Sequence, residues 1–136
     1  MQHVFIYLLF NGTCADALHF YERALGAHIE TLTTVGESPM AKQFPASSAN
    51  RVIHASLKLG DDTIMASDWM MAPQPYPGIH GMFVMLTLQD VEKAKTIFAT
   101  LSEQGKVEEP LHQTPFAHAY GTLVDRFGVS WQVMVQ

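Results

Sequence analysis

The sequence predicts an α+β protein: two tandem βαβββ modules forming a curved mixed sheet around a groove. Short segments alternate apolar and polar residues between turn signals, and one segment in each half has apolar residues at helical spacing. The same order of elements occurs twice in 136 residues. This length predicts a single domain over residues 1–136, with module one at about 1–70 and module two at about 80–136.

The composition is globular, with 48% hydrophobic and 15% charged residues. A formal charge of -5 without a basic run argues against nucleic acid or an anionic membrane surface as a partner. The apolar run at residues 4–10 is too short to span a membrane and resembles no signal peptide, so we expect a cytoplasmic protein. Cys14 is the single cysteine, which excludes a disulfide within the chain and favours a small buried side chain.

In the first half, β-branched and aromatic residues predict a strand over 4–10 that ends at an Asn-Gly turn. Thr13 and Asp16 have capping-box spacing, and Gly26 suits the position after the last helical turn. Four residues at helical spacing predict the buried side of this helix: Ala17, Leu18, Tyr21 and Leu25. Further strands are predicted at 28–35, 51–59 and 63–67, with a Pro/Ser/Ala-rich loop over 36–50.

In the second half, the pattern predicts a strand over 82–88, a helix capped by Asp90 and stopped by Gly105, and strands at 106–111, 117–124 and 129–135. The predicted inward side of the helix consists of Val91, Ala94, Phe98 and Leu101. The main difference from the first half is a short loop at 113–116 before the third strand.

The two halves resemble a duplication. Ala94 lies 77 residues after Ala17, and the same offset places Phe98 on Tyr21, Phe83 on Ile6 and His80 on His3. Because a helix covers one face of each sheet, the other faces are expected to line the groove. Strand alternation places seven residues on this groove face: Phe5, Tyr7, Leu9, Phe83, Met85, Gln132 and Met134. It directs seven others toward the helices: Ile6, Leu8, Phe10, Val84, Leu86, Trp131 and Val133.

Several segments carry a family resemblance: FNGTCADALHFY, HASLKLGDDTIMASD, QDVEKAKTIFATLSEQGK and AYGTLVDRFGVSW. Together with the duplicated order of elements, they resemble the PhnB-like family of the vicinal oxygen chelate superfamily, which includes glyoxalase I, bleomycin-resistance proteins and extradiol dioxygenases. PhnB-like proteins often carry a demethylubiquinone methyltransferase-like description. No segment here resembles the Gly-rich loop of a nucleotide-binding methyltransferase.

The resemblance implies metal-ligand positions near Phe5 or Ile6, Ala66, Phe83 and Gln132. Three of these four positions hold no ligating side chain, and one neutral amide does not hold a divalent cation without further ligands. We therefore expect no metal cofactor and interpret Gln132 as a polar anchor. The alternative is a metal-dependent lyase, isomerase or dioxygenase whose ligands have moved to a second set: His3, His80, His54 and Gln132.

The favoured hypothesis is a small-molecule-binding protein with an apolar groove. Its candidate ligand-binding residues are Tyr7, His54, Phe83, Trp69, Tyr120 and Gln132. His54 is predicted to be a hydrogen-bonding group or general base in the groove, or else a histidine paired with a backbone carbonyl. Trp69 is predicted to close over a ligand or to pack in a dimer interface. Asp68 is expected to accept hydrogen bonds from the loop that follows it. The resemblance also implies a homodimer.

Overall fold

The computed structural model describes residues 1–136, which divide into two units, Met1–Gly78 and Ile79–Gln136. The elements of the first unit are β1 (Ile6–Phe10), α1 (Cys14–Leu25), β2 (His28–Thr34), β3 (Val52–Leu59) and β4 (Asp62–Asp68). Those of the second unit are β5 (Val84–Leu88), α2 (Val91–Leu101), β6 (Lys106–Thr114), β7 (Ala117–Val124) and β8 (Ser130–Val135). Each unit therefore has the predicted βαβββ order.

Each unit forms one four-stranded sheet, in the order β1-β4-β3-β2 or β5-β8-β7-β6. The first and last strands of each unit pair in parallel, and the other neighbours pair antiparallel. Both first strands begin two residues later than predicted, at Ile6 and Val84. The long loop between β2 and β3 contains two short 3₁₀ turns, Ala41–Gln43 and Ala46–Ser48. Neither α-helix is long and apolar enough to cross a bilayer.

The helix side of each sheet is the core, and the predicted alternation is confirmed there except at Ile6, which begins β1 and is 38% exposed. In the first unit, Leu8 and Phe10 of β1 are buried together with the predicted α1 residues. In the second unit, Leu86 and Trp131 are buried together with Ala94 and other α2 residues. Full burial of side chains of this size contributes about 1.5 to 3 kcal/mol each.

The two helices begin differently. Asp90 caps α2 as predicted, with its Oδ1 accepting from the backbone N–H of Glu92 at 2.9 Å. The predicted capping box of α1 is wrong, because Thr13 makes no side-chain cap hydrogen bond. Asp68 at the end of β4 takes that place, and its Oδ1 accepts from the backbone N–H of Cys14 at 3.0 Å. The cap comes from a residue 54 positions away along the chain, which local sequence patterns do not predict.

The ends of the helices correct a second prediction. Gly26 follows α1 in the left-handed conformation, as expected. Gly105 does not stop α2, which ends at Leu101, and the residue with positive φ is Gln104. A Cβ on Gly105 would collide with the Val124 carbonyl oxygen. Close approach of two backbones, and not a helix stop, therefore requires glycine there.

The predicted offset of 77 residues holds for the helices but not for the first strands. Ala17 and Ala94, 77 positions apart, are both fully buried. Among the strands, buried Leu8 corresponds to buried Leu86, which lies 78 positions later. The turn before α2 is one residue shorter than the turn before α1. The assignments of Ile6 to Phe83 and of His3 to His80 are therefore wrong by one residue.

Candidate functional site

Each sheet has an open face, which we define as the face opposite its helix. In the first unit, Tyr7 of β1 lies opposite Met65 of β4, and Met65 lies opposite Ser56 of β3. Directly paired residues in neighbouring strands project from the same face. Tyr7 is 47% exposed and Met65 half-buried. The predicted orientation of Tyr7 is thus observed.

His54 shares this open face because it lies two residues before Ser56 in β3. The side chain is exposed, and no protein group hydrogen-bonds to its imidazole ring. The prediction that a backbone carbonyl satisfies this ring is therefore wrong. Both ring nitrogens are left for solvent or a ligand, so His54 is able to donate or accept a hydrogen bond there.

The open face of the second unit has a polar centre. Gln132 of β8 lies opposite Met85 of β5 and Thr122 of β7. Its Nε2 donates to the Oη of Tyr120 at 3.1 Å, so the structure brings two of the predicted site residues together. In this pair the Gln132 Oε1 is left as an acceptor and the Tyr120 hydroxyl hydrogen as a donor. Sequence alternation left the face of Tyr120 undecided, and its pairing with Met134 settles it.

Exposed apolar side chains lie near this polar pair: Met85 is paired with Gln132, and Phe83 precedes the same strand. Phe83 is 49% exposed and Met85 is 48% exposed, although both are residue types that are usually buried. The ring of Phe116 meets that of Tyr120 edge-on, with centroids 5.4 Å apart. The arrangement offers apolar contact area around one donor and one acceptor, which is the usual chemistry of a small-molecule site.

The metal-ligand positions implied by the resemblance are occupied by residues that do not fit a divalent cation. Ala66 is fully buried on the helix side, and its neighbour Met65 is the open-face residue of β4. Neither Phe5 nor Met65 in the first unit supplies the nitrogen, oxygen or thiolate ligands that hold such an ion. In the second unit, Gln132 is paired with Met85 of β5, and neither Met85 nor Phe83, which precedes that strand, supplies such a ligand.

The alternative ligand set lies partly outside the strands. The ring of His3 stacks on that of Phe5, with centroids 6.1 Å apart. His80 is exposed and precedes β5. Within either unit, no three His, Cys, Asp or Glu side chains cluster with the spacing of a metal site. The displaced site stays a prediction, since its residues come from both units.

Trp69 follows β4 and lines a cleft that neither Tyr7 nor His54 lines. We call this cleft, at the end of the first sheet, the Arg51 cleft. The cleft has a volume of about 680 Å³ and is lined by Asn11, Gln43, Phe44, Pro45, Ser47, Ser48, Arg51, Trp69, Met70, Ala72, Gln74 and Tyr76. Trp69 is fixed by a hydrogen bond from its Nε1 to the Gln74 carbonyl and by an edge-on contact with the Tyr76 ring.

Arg51 is the charged residue of this cleft, and the sequence reasoning missed it. Its Nη1 donates to the Trp69 carbonyl at 3.0 Å, and its Nη2 donates to the Asn11 Oδ1 at 3.1 Å. These three residues come together because β1 and β4 end where β3 begins. The signal in the sequence was an arginine directly after the longest loop, since long loops often carry binding residues.

Asp68 has a structural role, although not the predicted one. Its carboxylate is 1% exposed and accepts from the backbone N–H groups of Gly12, Cys14 and Val52. These donors precede Asp68 in the chain, so the prediction of bonds from the following loop is wrong. Burial, and secondarily the charge of Asp68, raises the pKa of the Cys14 thiol to about 12. Cys14 is therefore an unreactive core residue, as expected.

The same two causes act on Tyr76, which lines the Arg51 cleft. Burial, followed by the negative charge of Asp68, raises the pKa of its phenol above the ordinary value. The hydroxyl donates to the Leu9 carbonyl at 2.6 Å. Tyr76 therefore acts as a neutral hydrogen-bond donor that attaches the segment after β4 to β1.

Comparison with known proteins identifies relatives along the whole chain. The family of 3-demethylubiquinone-9 3-methyltransferase matches residues 2–134. The YjdN protein of Escherichia coli strain K12 is 34% identical over 137 aligned positions, which cover 95% of this chain and 92% of that protein.

Solved structures agree with this result. Protein PA1353 from Pseudomonas aeruginosa is 36% identical, with a TM-score of 0.91 over 100% of this chain and 98% of its own. The PhnB protein from Bacillus cereus is 25% identical, with a TM-score of 0.81 over 99% and 100% of the two chains. Glyoxalase-family and bleomycin-resistance/dioxygenase structures at 13% and 12% identity share the fold alone. The chain thus belongs to the 3-demethylubiquinone-9 3-methyltransferase family, as a PhnB-like protein.

Proposed function

We propose that this protein binds a small, largely apolar molecule on the open faces of its sheets. The observation that carries the proposal is the open face of the second unit, where half-exposed Met85 is paired with Gln132 of the Gln132–Tyr120 hydrogen bond and half-exposed Phe83 lies two residues before Met85. A ligand that removes these apolar side chains from water lowers the free energy of the complex. The polar pair then orients the ligand.

The chemistry of the pair defines the type of ligand. The Gln132 Oε1 accepts and the Tyr120 hydroxyl donates, so a ligand with a neighbouring donor and acceptor, such as an amide, satisfies both groups. No charged side chain takes part in this pair. A neutral or weakly polar molecule therefore fits better than a strongly charged one, because burying an unpaired charge is costly.

In the first unit, His54 and Tyr7 are the corresponding anchors on the open face. His54 has no protein partner that it must give up on binding, which lowers the cost of a ligand contact. His54→Ala is expected to weaken ligand binding while leaving the fold unchanged, because the side chain is exposed. Unaltered affinity in this variant would remove the anchor role.

The experiment that tests the function uses the neutral apolar dye Nile red, whose fluorescence rises when it leaves water. Phe83→Ser is expected to reduce dye binding. Val107→Ser is the matched control, because Val107 is 42% exposed but pairs with buried Leu123 on the helix side of the sheet. Equal loss in both variants, or no saturable binding in the unmodified protein, contradicts the proposed surface.

A ligand that competes with the dye then tests the anchors. Amide-containing aromatic compounds are expected to displace Nile red, and Gln132→Leu is expected to weaken that displacement more than dye binding itself. The amide group of the competing compound has Gln132 as its hydrogen-bond partner in the unmodified protein and has no such partner in the variant, whereas the dye does not depend on this bond. We further expect a homodimer in the cytoplasm, and light scattering after gel filtration gives the mass in solution that tests the dimer.

A further inference from the structure

We infer that the Arg51 cleft is a second binding site, for a small planar organic carboxylate, separate from the open faces. Its volume of about 680 Å³ lies within the range of roughly 300 to 1,000 Å³ that is usual for ligand sites. The inference does not depend on the proposed function, because Tyr7, His54 and Gln132 do not line this cleft.

The Arg51 cleft carries a single positive charge. Arg51 is the charged residue in its lining, which otherwise consists of neutral side chains. The guanidinium bonds to two neutral acceptors, the Trp69 carbonyl and the Asn11 side chain, and forms no ion pair. The guanidinium of Arg51 is thus half-buried without a negatively charged partner, in a protein of net charge -5. An arginine in this state is suited to bind an anion.

The cleft also contains hydrogen-bond donors that no group of the protein accepts from. Arg51 uses only part of its N–H fork on the Trp69 and Asn11 oxygens, and the other N–H groups are left without a protein acceptor. The hydroxyl groups of Ser47 and Ser48 line the same cleft and make no hydrogen bond within the chain. A carboxylate supplies acceptors for both kinds of donor.

The number of charges decides between anions. One guanidinium balances a monoanion, whereas a phosphate dianion would keep an unbalanced charge beside apolar walls. The carboxylate of Asp68, which accepts from the N–H of Val52 next to Arg51, adds to this cost for a dianion. Asp68 itself is buried and bonded to three backbone N–H groups, so it does not compete for Arg51.

The walls of the cleft define the body of the ligand. Phe44, Trp69 and Tyr76 supply aromatic surface, and Trp69 and Tyr76 hold each other edge-on. A flat aromatic or unsaturated body packs against such rings. Benzoate is therefore the probe of choice, and benzamide is its neutral counterpart of the same shape.

The test measures the binding of benzoate and benzamide through the change in the fluorescence of Trp69. The other tryptophan, Trp131, is 1% exposed, so a ligand in the cleft does not touch it. Trp69→Phe shows that the change in fluorescence comes from Trp69. Saturable benzoate binding that is roughly tenfold tighter than benzamide binding and weakens with added salt supports the inference. Equal binding of the two compounds, no saturation by benzoate, or tighter binding of inorganic phosphate overturns it.

Variants locate the charge that is responsible. Arg51→Gln is expected to remove the preference for benzoate over benzamide, and Arg51→Lys is expected to retain part of it. Arg126→Gln is the matched control, because Arg126 is paired with Glu103 in the second unit. Retention of the full preference in Arg51→Gln overturns the inference. If that variant does not fold, the comparison of the two probes in the unmodified protein and in Arg51→Lys decides.

Discussion

Replacement of Asp68 by alanine tests whether one buried carboxylate holds the first unit together. The side chain is 1% exposed and accepts from the backbone N–H groups of Gly12 at 2.8 Å, Cys14 at 3.0 Å and Val52 at 2.8 Å. It therefore joins the end of β4 to the start of α1 and to the start of β3. Alanine leaves all three donors without a partner.

The magnitude follows from these contacts. Each buried donor that loses its acceptor costs about 1 to 3 kcal/mol, and the Gly12 donor is only partly buried. Removal of the buried charge offsets part of this cost, so the expected loss for Asp68→Ala is about 3 to 4 kcal/mol. Asp68→Asn keeps one acceptor oxygen for Gly12 and Cys14 but turns an NH₂ group toward the Val52 N–H, for an expected loss of about 1 to 2 kcal/mol.

Urea denaturation of the three proteins measures these losses, and amide exchange at Cys14 and Val52 shows where the structure opens. Asp61→Ala is the control, since Asp61 is exposed in the turn between β3 and β4, and no change is expected. A loss below about 1 kcal/mol for Asp68→Ala, or equal losses for alanine and asparagine, would refute the reasoning.

Three further predictions concern other parts of the chain. Because the pKa of Cys14 is raised from 9.0 to about 12 in the folded protein, its contribution to stability is complete below pH 9 and is lost as the pH rises toward 12. Urea titrations across this range are expected to show a shallower pH dependence for Cys14→Ala, and an unchanged slope contradicts the assignment. Gly121→Ala is expected to cost about 1 to 3 kcal/mol in thermal or urea unfolding, because a Cβ there would lie 2.9 Å from the Glu109 carbonyl oxygen. If the free energy of unfolding equals that of the unmodified protein, β6 and β7 accommodate the added Cβ without loss of stability, and the prediction is wrong. Protein purified without a His tag or chelator is expected to contain no stoichiometric zinc, nickel, manganese or iron by plasma mass spectrometry. Metal that is lost in His3→Ala and His80→Ala would instead establish the displaced site.

The fold was predictable because its determinants are local. Alternation of apolar residues assigned the buried faces of β1 and β8, and Leu8 and Trp131 are buried as expected. Gly26 and Asp90 marked helix boundaries through their own backbone and side-chain chemistry. The boundary that failed was the start of α1, where the capping group is Asp68 from the far end of the unit. Contacts of this kind depend on the completed sheet.

The candidate site was predictable to a smaller extent. The hydrogen bond between Gln132 and Tyr120 joins two residues that the sequence had proposed separately. The exact positions of implied metal ligands were not predictable, because a shift of one residue moves a side chain such as Ala66 from the open face to the core. Arg51 was missed because its importance arises from two neighbours, Asn11 and Trp69, that the strand pairing brings to it.

The parallel pairing of the first and last strands of each unit determines when these strands pair during synthesis. β1 lies at the edge of its sheet and pairs only with β4, and β5 has the same relation to β8. On the ribosome, the first strand of each unit to emerge is therefore the last to find its neighbour. Until Asp62–Asp68 has been synthesised, the apolar strand Ile6–Phe10 has no place in a sheet and is open to association with other chains. The interval before β4 emerges is thus the stage of synthesis at which this strand most needs protection.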